Sequence, residues 1–465
     1  MKKPYKTGLF VFRRDLRLVD NKGLHSMHQL CENIIPVFIF TPEQVGKKND
    51  YKSKRAVKFM LETLMELSHD IKQQGGSLHT FYGENNKIIR HCIEEMGIDV
   101  VCFNQDITPY AIERDKKIMT LCKSLSVACL TYQDYYLYDE GKIVTGSNTP
   151  YMKFTPYYEK AVKIHVDEPH GSERLPFIVS KKLEFHITLE NAFVSFVGKV
   201  DKEEKDILKG GRRAGWSRLL HASQSQKQYS KFHNVLSHPT TQLSPYIKFG
   251  CISIREAYYK LKHSKDLIRQ LIWREFYANI LYHYPHVLGK AMKPNYNKIH
   301  WKKNAKYLES WKRGDTGFPV VDAGMRQLNA TGYMHNRARL IVASFLVKTL
   351  LIDWREGEQY FATHLVDYDP ASNNGNWQWI AGSGADSQPY FRIFNPWQQS
   401  ANYDPQGEYI KQWVPELEPV DPRDLHRWNE RWDNDKYKDV KYPEPIVDYS
   451  KQKELVLDMY SRAFH

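Results

Sequence analysis

The first ~135 residues alternate short apolar runs with stretches of helical period. Runs at 9–12, 34–40, 77–81, 100–103 and 127–130 read as strands, and 54–74, 87–96 and 111–124 read as helices. Such alternation predicts a parallel sheet covered by helices. No G-x-G-x-x-G follows the first strand; FRRDLRLVDN (12–21) stands there, so no nucleotide is expected in this half. From about Gly141 to Arg212 the period dissolves into Gly, Pro, Lys and isolated aromatics, which predicts a long linker lying over both halves. Beyond it the strand signal is gone. Helices are expected at 214–225, 253–263, 266–284, 307–312, 321–328, 335–351 and 356–365, with Pro245, Pro285, Pro319, Pro370 and Pro389 at boundaries. The tail after Asp404 reads as a Pro- and charge-rich surface wrap with one terminal helix near 453–463.

Composition adds three constraints. The chain has 465 residues, room for two to four domains at roughly 100–200 residues each. Its 67 basic and 54 acidic residues leave +13, which favours a polyanionic partner, though a merely basic protein fits equally well until base-stacking positions are found. The six cysteines show no C-x-x-C pair and no metal spacing with His, so buried reduced thiols and no metal site are expected. The N-terminus lacks the apolar core of a secretory signal, and no window matches a membrane span of ~18 apolar residues. A soluble intracellular protein, cytoplasmic or nuclear, is the expectation.

Candidate chemistry gathers in four clusters. The stretch 353–396 combines Trp354, Trp377 and Trp379 with Tyr390, Phe391 and many Asn, Gly and Asp residues. That mixture is poor for a helix interior and too aromatic for an exposed loop. It suits a pocket wall for a flat, polar-edged ligand, and equally a Trp-rich core with polar corners. Within it Asp367 and Asp369 can accept from a ring N–H or a ribose, and Asn373 and Asn374 offer neutral amides. Trp377 and Trp379 cannot share a helical face. In 240–245 the hydroxyls of Thr240, Thr241 and Ser244 precede a proline-started helix, a pattern for a diphosphate or an ordinary N-cap. On one helix face Gln270, Trp273 and Arg274 combine stacking with hydrogen bonding, or form a core Trp beside a surface ion pair. In MHNRAR (334–339), Asn336 and Arg339 share a face while Arg337 points away, either toward phosphate or as part of a solvated basic stripe.

Together these segments resemble the photolyase/cryptochrome family over nearly the whole chain. The carriers are FRRDLRLVDN, WREFY (273–277), GFPVVDAGMRQL (317–328), MHNRAR, DWREGE (353–358) and NNGNWQW (373–379), in fixed order. The likeness is closest to class I cyclobutane pyrimidine dimer photolyases. It implies an α/β plus all-α chain: a Rossmann-like antenna-type domain at 1–135, a linker at 136–212 and a helical FAD-binding domain at 213–465. It implies FAD contacts from Tyr229, Thr240, Thr241, Leu243, Ser244, Gln270, Arg274, Asn336, Arg339, Asp367, Asp369 and Asn373. Electrons would hop through Trp301, Trp354 and Trp377. DNA and lesion contacts would come from His233, Trp273, Arg337, Leu340, Trp379, Arg392 and Gln399, with Gln270, Asn336 and Asn373 at the chemistry. A reduced, excited flavin would donate an electron to a dimer in UV-damaged DNA and recover it after the ring splits. A monomer is expected.

Three departures refine the resemblance. Gln270 stands where dimer photolyases carry Glu, and (6-4) photolyases carry Gln there. Those enzymes also need two histidines, where this chain has Asn336 and Leu340. The missing histidines favour the cyclobutane dimer over the (6-4) lesion. Ala111 replaces the Glu of folate-binding members, which leaves a deazaflavin antenna or none. A cryptochrome-type photoreceptor is the alternative; Asn373 and the absence of a long extension argue against it.

Overall fold

The structure, a computed structural model, describes residues 2–181, 183–198 and 208–464. Positions 182 and 199–207 of the expected linker lie outside the described residues. Strands β1 (Tyr5–Phe12), β2 (Cys31–Phe40), β3 (His79–Tyr82), β4 (Val100–Asn104) and β5 (Ala128–Tyr132) form one parallel sheet ordered β3-β2-β1-β4-β5. Side-chain alternation splits the sheet between two cores. Leu9, Val11, Val37 and Val101 enter one, and Phe10, Phe12, Phe38 and Phe40 the other. Helix Lys54–Gln73 buries Phe59, Leu64, Leu67 and Ile71 along one stripe.

The sequence reading missed helix Lys22–Leu30, the crossover that parallel β1 and β2 require. Asn21 caps it by accepting from the Leu24 N–H, but Gly23, Ser26 and two histidines hide its period. The described part of the expected linker is also more ordered than its composition suggested. It contains helices Phe154–Ala161 and Leu189–Phe196, and Phe154 and Tyr157 enter the core that holds Phe10.

That core runs on into the helical half through Tyr246, Leu271 and Phe276. Buried charges also join the two halves. Asp134 pairs with Arg17 and, at 2.6 Å, with Arg255, which meets Asp20 at 3.0 Å. Burial alone would raise the Asp134 carboxyl, yet Arg17 and Arg255 hold it below its ordinary value.

Helices Lys265–His283, Pro319–Thr331, Asn336–Ser344, Trp354–His364 and Pro370–Ala381 carry the candidate residues. Three expectations change here. The helix expected over 335–351 stops at Ser344 and continues as a π-helix, Phe345–Thr349. The π-helix buries Lys348, whose Nζ lies 3.1 Å from the Tyr390 carbonyl and 3.9 Å from the Tyr460 ring centre. Pro370–Ala381 is helical despite its Asn and Gly residues: Asp369 caps it, Pro370 starts it and left-handed Gly382 ends it. The tail is no mere surface wrap, because Tyr409, Ile410, Val414, Leu417 and Trp428 lie in the second core with Trp311 and Trp377. The terminal helix is Tyr449–Phe464. All six cysteines are free, and among the described residues no helix is long and apolar enough to cross a membrane.

Candidate active site

Three helices, Asn336–Ser344, Trp354–His364 and Pro370–Ala381, wall a half-open cleft. Asn336, Arg339, Leu340, Asp367, Asn373 and Trp377 line it, and Asp369 borders it. At its centre Arg339 Nη2 donates to Asp367 Oδ2 at 2.9 Å, and the Ser244 hydroxyl donates to the same oxygen at 2.6 Å. Arg339 Nε donates to the Met334 carbonyl, which fixes the guanidinium plane. Burial would lower the Arg339 guanidinium, but Asp367 holds it above its ordinary value. The other carboxylate oxygen, Asp367 Oδ1, is buried without a partner among the described residues. An orphaned buried acceptor at a cleft wall calls for a donor from a ligand.

Asp369 takes the Ser372 N–H as a cap and pairs with Arg14 at 3.0 Å. Burial would raise its carboxyl; Arg14 and Arg274 keep it low. Arg274 itself pairs with Glu275 at 3.2 Å and stacks over Tyr136 at 4.4 Å. Burial, reinforced by Arg14, pushes Lys248 down to about 8 against the pull of Asp369 and Asp367.

Both Trp377 and Trp354 are 2 % exposed, whereas Trp301 is half-buried and meets Tyr460 edge-on at 6.0 Å. Gly357, on the same helix as Trp354, admits the Trp377 ring; a Cβ there would approach it to 2.1 Å.

The remaining expected residues do not line this cleft. Gln270 is exposed, and Trp273, on the same helix, stacks on Phe154 at 3.6 Å. Arg337 donates to Asn234 Oδ1 at 2.7 Å and covers Tyr403, so the two arginines diverge as their spacing predicted. Trp379 is half-buried against the second core. Tyr229 stacks on His233 at 5.1 Å, Thr240 approaches the Tyr333 hydroxyl at 3.4 Å, Thr241 is half-buried and Leu243 is buried. Arg392 is exposed and donates to Gln388, while Gln399 Oε1 is buried without a partner among the described residues. Sequence reasoning missed Arg14, Lys248 and Glu358. Arg14 and Glu358 lay inside quoted motifs, but their partners are visible only in three dimensions.

The chain belongs to the DNA photolyase family: residues 9–176 match the family described as DNA photolyase, and 267–462 the FAD binding domain of DNA photolyase. It is 33% identical to the deoxyribodipyrimidine photo-lyase of Halobacterium salinarum over 482 residues, 98% of this chain and 99% of that one. It superposes on the archaeal photolyase of Sulfolobus tokodaii, described with two FAD molecules, with a TM-score of 0.88. That match has 39% identity and covers 98% of this chain and 100% of that one. A bacterial class III photolyase from Agrobacterium tumefaciens gives 0.91 at 32% identity, covering 100% and 98%. The groups present fit FAD, since the orphaned Asp367 acceptor oxygen, the Arg339 cation, the Asn373 amide and the Trp377 wall match a flat ring with polar edges.

Proposed function

We propose that this chain is a light-driven DNA-repair flavoenzyme that splits cyclobutane pyrimidine dimers. The observation that carries the reading is the Arg339–Asp367 pair with its unfilled carboxylate oxygen at the wall of the cleft. When bound and reduced, FAD supplies the photoexcitable electron donor. Arg339, Asp367, Asp369, Asn336 and Asn373 would hold its ring from the cleft wall, with Arg274 behind Asp369 and Gln270 reaching in from the rim. Tyr229, Thr240, Thr241, Leu243 and Ser244 hold the phosphate side. Trp377, Trp354 and Trp301 would conduct electrons inward from the surface; two are buried and Trp301 is half-buried, which supports the role.

The substrate is UV-damaged DNA with its lesion turned out of the helix; photolyases are among the handful of enzymes known for extruding their target in this way. Trp273, Trp379, Asn336, Arg337 and Leu340 would receive the flipped dimer, and Gln270 would bond it. His233, Arg392 and Gln399 would meet the DNA rim. Repair of the (6-4) lesion is disfavoured because positions 336 and 340 carry no imidazole. The neighbouring His335 is pushed to about 4 by burial, Arg337 and Arg339, so it is neutral near pH 7 and offers no acid. Ala111 is buried and brings no carboxylate for a folate antenna, which leaves a deazaflavin or none. A monomer is the proposed state.

The test is illumination of the purified, reduced holoenzyme with oligonucleotides bearing either lesion. Splitting of the cyclobutane dimer alone is expected. Repair of only the (6-4) lesion, or of neither, overturns the proposal.

A further inference from the structure

Asn373 gives its amide protons to a single residue. Nδ2 donates to Glu358 Oε1 at 2.9 Å and to the Glu358 backbone carbonyl at 3.0 Å. Its Oδ1 has no protein donor among the described residues, and the side chain lines the cleft. Glu358 is 4 % exposed and sits on helix Trp354–His364. Tyr51, on the loop before helix Lys54–Gln73, lies close enough to the same carboxyl for the two groups to perturb each other's titration. Tyr51 is 40 % exposed and packs against Tyr368. Burial raises the Glu358 carboxyl, and the donors from Asn373 and Tyr51 pull it back.

A neutral amide can turn either its carbonyl or its NH2 toward a ligand, and its other neighbour decides which. A carboxylate only accepts, so it claims the NH2 end. We infer that Glu358 is a positioning residue: it holds Asn373 so that Oδ1, an acceptor only, meets the ligand ring. The site then favours a ring nitrogen that carries a proton, as in reduced FAD, over the bare nitrogen of the oxidised form. This rests on the reading that Asn373 faces the FAD ring.

The experiment measures the midpoint potential of FAD in the holoenzyme, which reports the ratio of affinities for its two redox forms. Glu358→Gln removes any negative charge but keeps a carbonyl acceptor for Asn373. Glu358→Leu removes both. The leucine variant is expected to prefer reduced FAD about tenfold less than the glutamine variant, a potential about 30 mV lower for a two-electron couple. Equal potentials in the two variants overturn the inference. Asn373→Leu separates the two ideas. If it shifts the potential while Glu358→Leu and Glu358→Gln agree, only the positioning role falls; if it shifts nothing, the placement of Asn373 at the ring falls too. Where the leucine variant fails to load FAD, Glu358→Ala reads the same contrast.

Discussion

Among the described residues, Asp367 concentrates two donors on one oxygen and none on the other. Asp367→Asn would leave the Arg339 guanidinium without its counter-ion, and hydrogen bonds to charged groups are worth about 1.5–3 kcal/mol. FAD retention is therefore expected to fall roughly 10- to 100-fold, read by fluorescence of released flavin. On the proposed reading Gln270 would offer the lesion an amide, and a carboxylate there would make a stronger, charge-assisted contact. Gln270→Glu is expected to raise the quantum yield of dimer repair, measured against an actinometer. A yield that stays level or falls removes residue 270 from the lesion. At this scale the sequence pointed to Asp367, Asn373 and Arg339 because their spacing and types were unusual together. It could not pair Arg14 with Asp369, since the two lie 355 positions apart and meet only after folding.

The elements differ in how openly they declare themselves. Both faces of the sheet are buried, so its strands read as nearly continuous apolar runs. Helix Pro370–Ala381 contradicts its own propensities and holds because its cap and the burial of Trp377 outweigh them. The tail from 405 to 448 spaces its apolar residues too widely for any period, yet Tyr409, Ile410, Val414, Leu417, Val420, Leu425 and Trp428 all fill the second core. The π-helix is where an element carries its own titration. Burial lowers Lys348 to about 7, so the folded chain sheds that proton well before the unfolded chain does near 10.4. Between those values the unfolded state binds more protons, and stability gains up to about 1.4 kcal/mol per pH unit. Lys348→Met lacks this slope. Urea denaturation at pH 7.5 and 9.5 is expected to show wild type gaining on the variant as pH rises.

Asp134 acts between elements, holding the sheet to helix Ile254–Leu261 through Arg17 and Arg255. Asp134→Asn would leave two buried guanidinium groups under-paired, at about 3–5 kcal/mol. Denaturation at pH 7 is the measurement. The folded carboxyl is held low, so its contribution is complete above the unfolded value near 3.9 and fades as pH falls below it; the penalty of the variant shrinks in acid accordingly.

For the whole molecule, charge is the governing quantity. With +13 overall, association with DNA is expected to depend steeply on salt. Roughly six phosphate contacts would give a log–log slope near −5, about a thousandfold loss between 50 and 200 mM. Anisotropy titrations on lesion-bearing duplexes would read it, and a flat response would remove the polyanion from the account.

Arg14 and Tyr51 come from the sheet-bearing half, yet Arg14 pairs with Asp369 at the cleft wall and Tyr51 lies close enough to Glu358 to couple to its charge. That half therefore helps to set the charges around the cleft. Anyone grafting a relative's light-gathering module onto this helical body would also be retuning the flavin, unless those two side chains travelled with the graft.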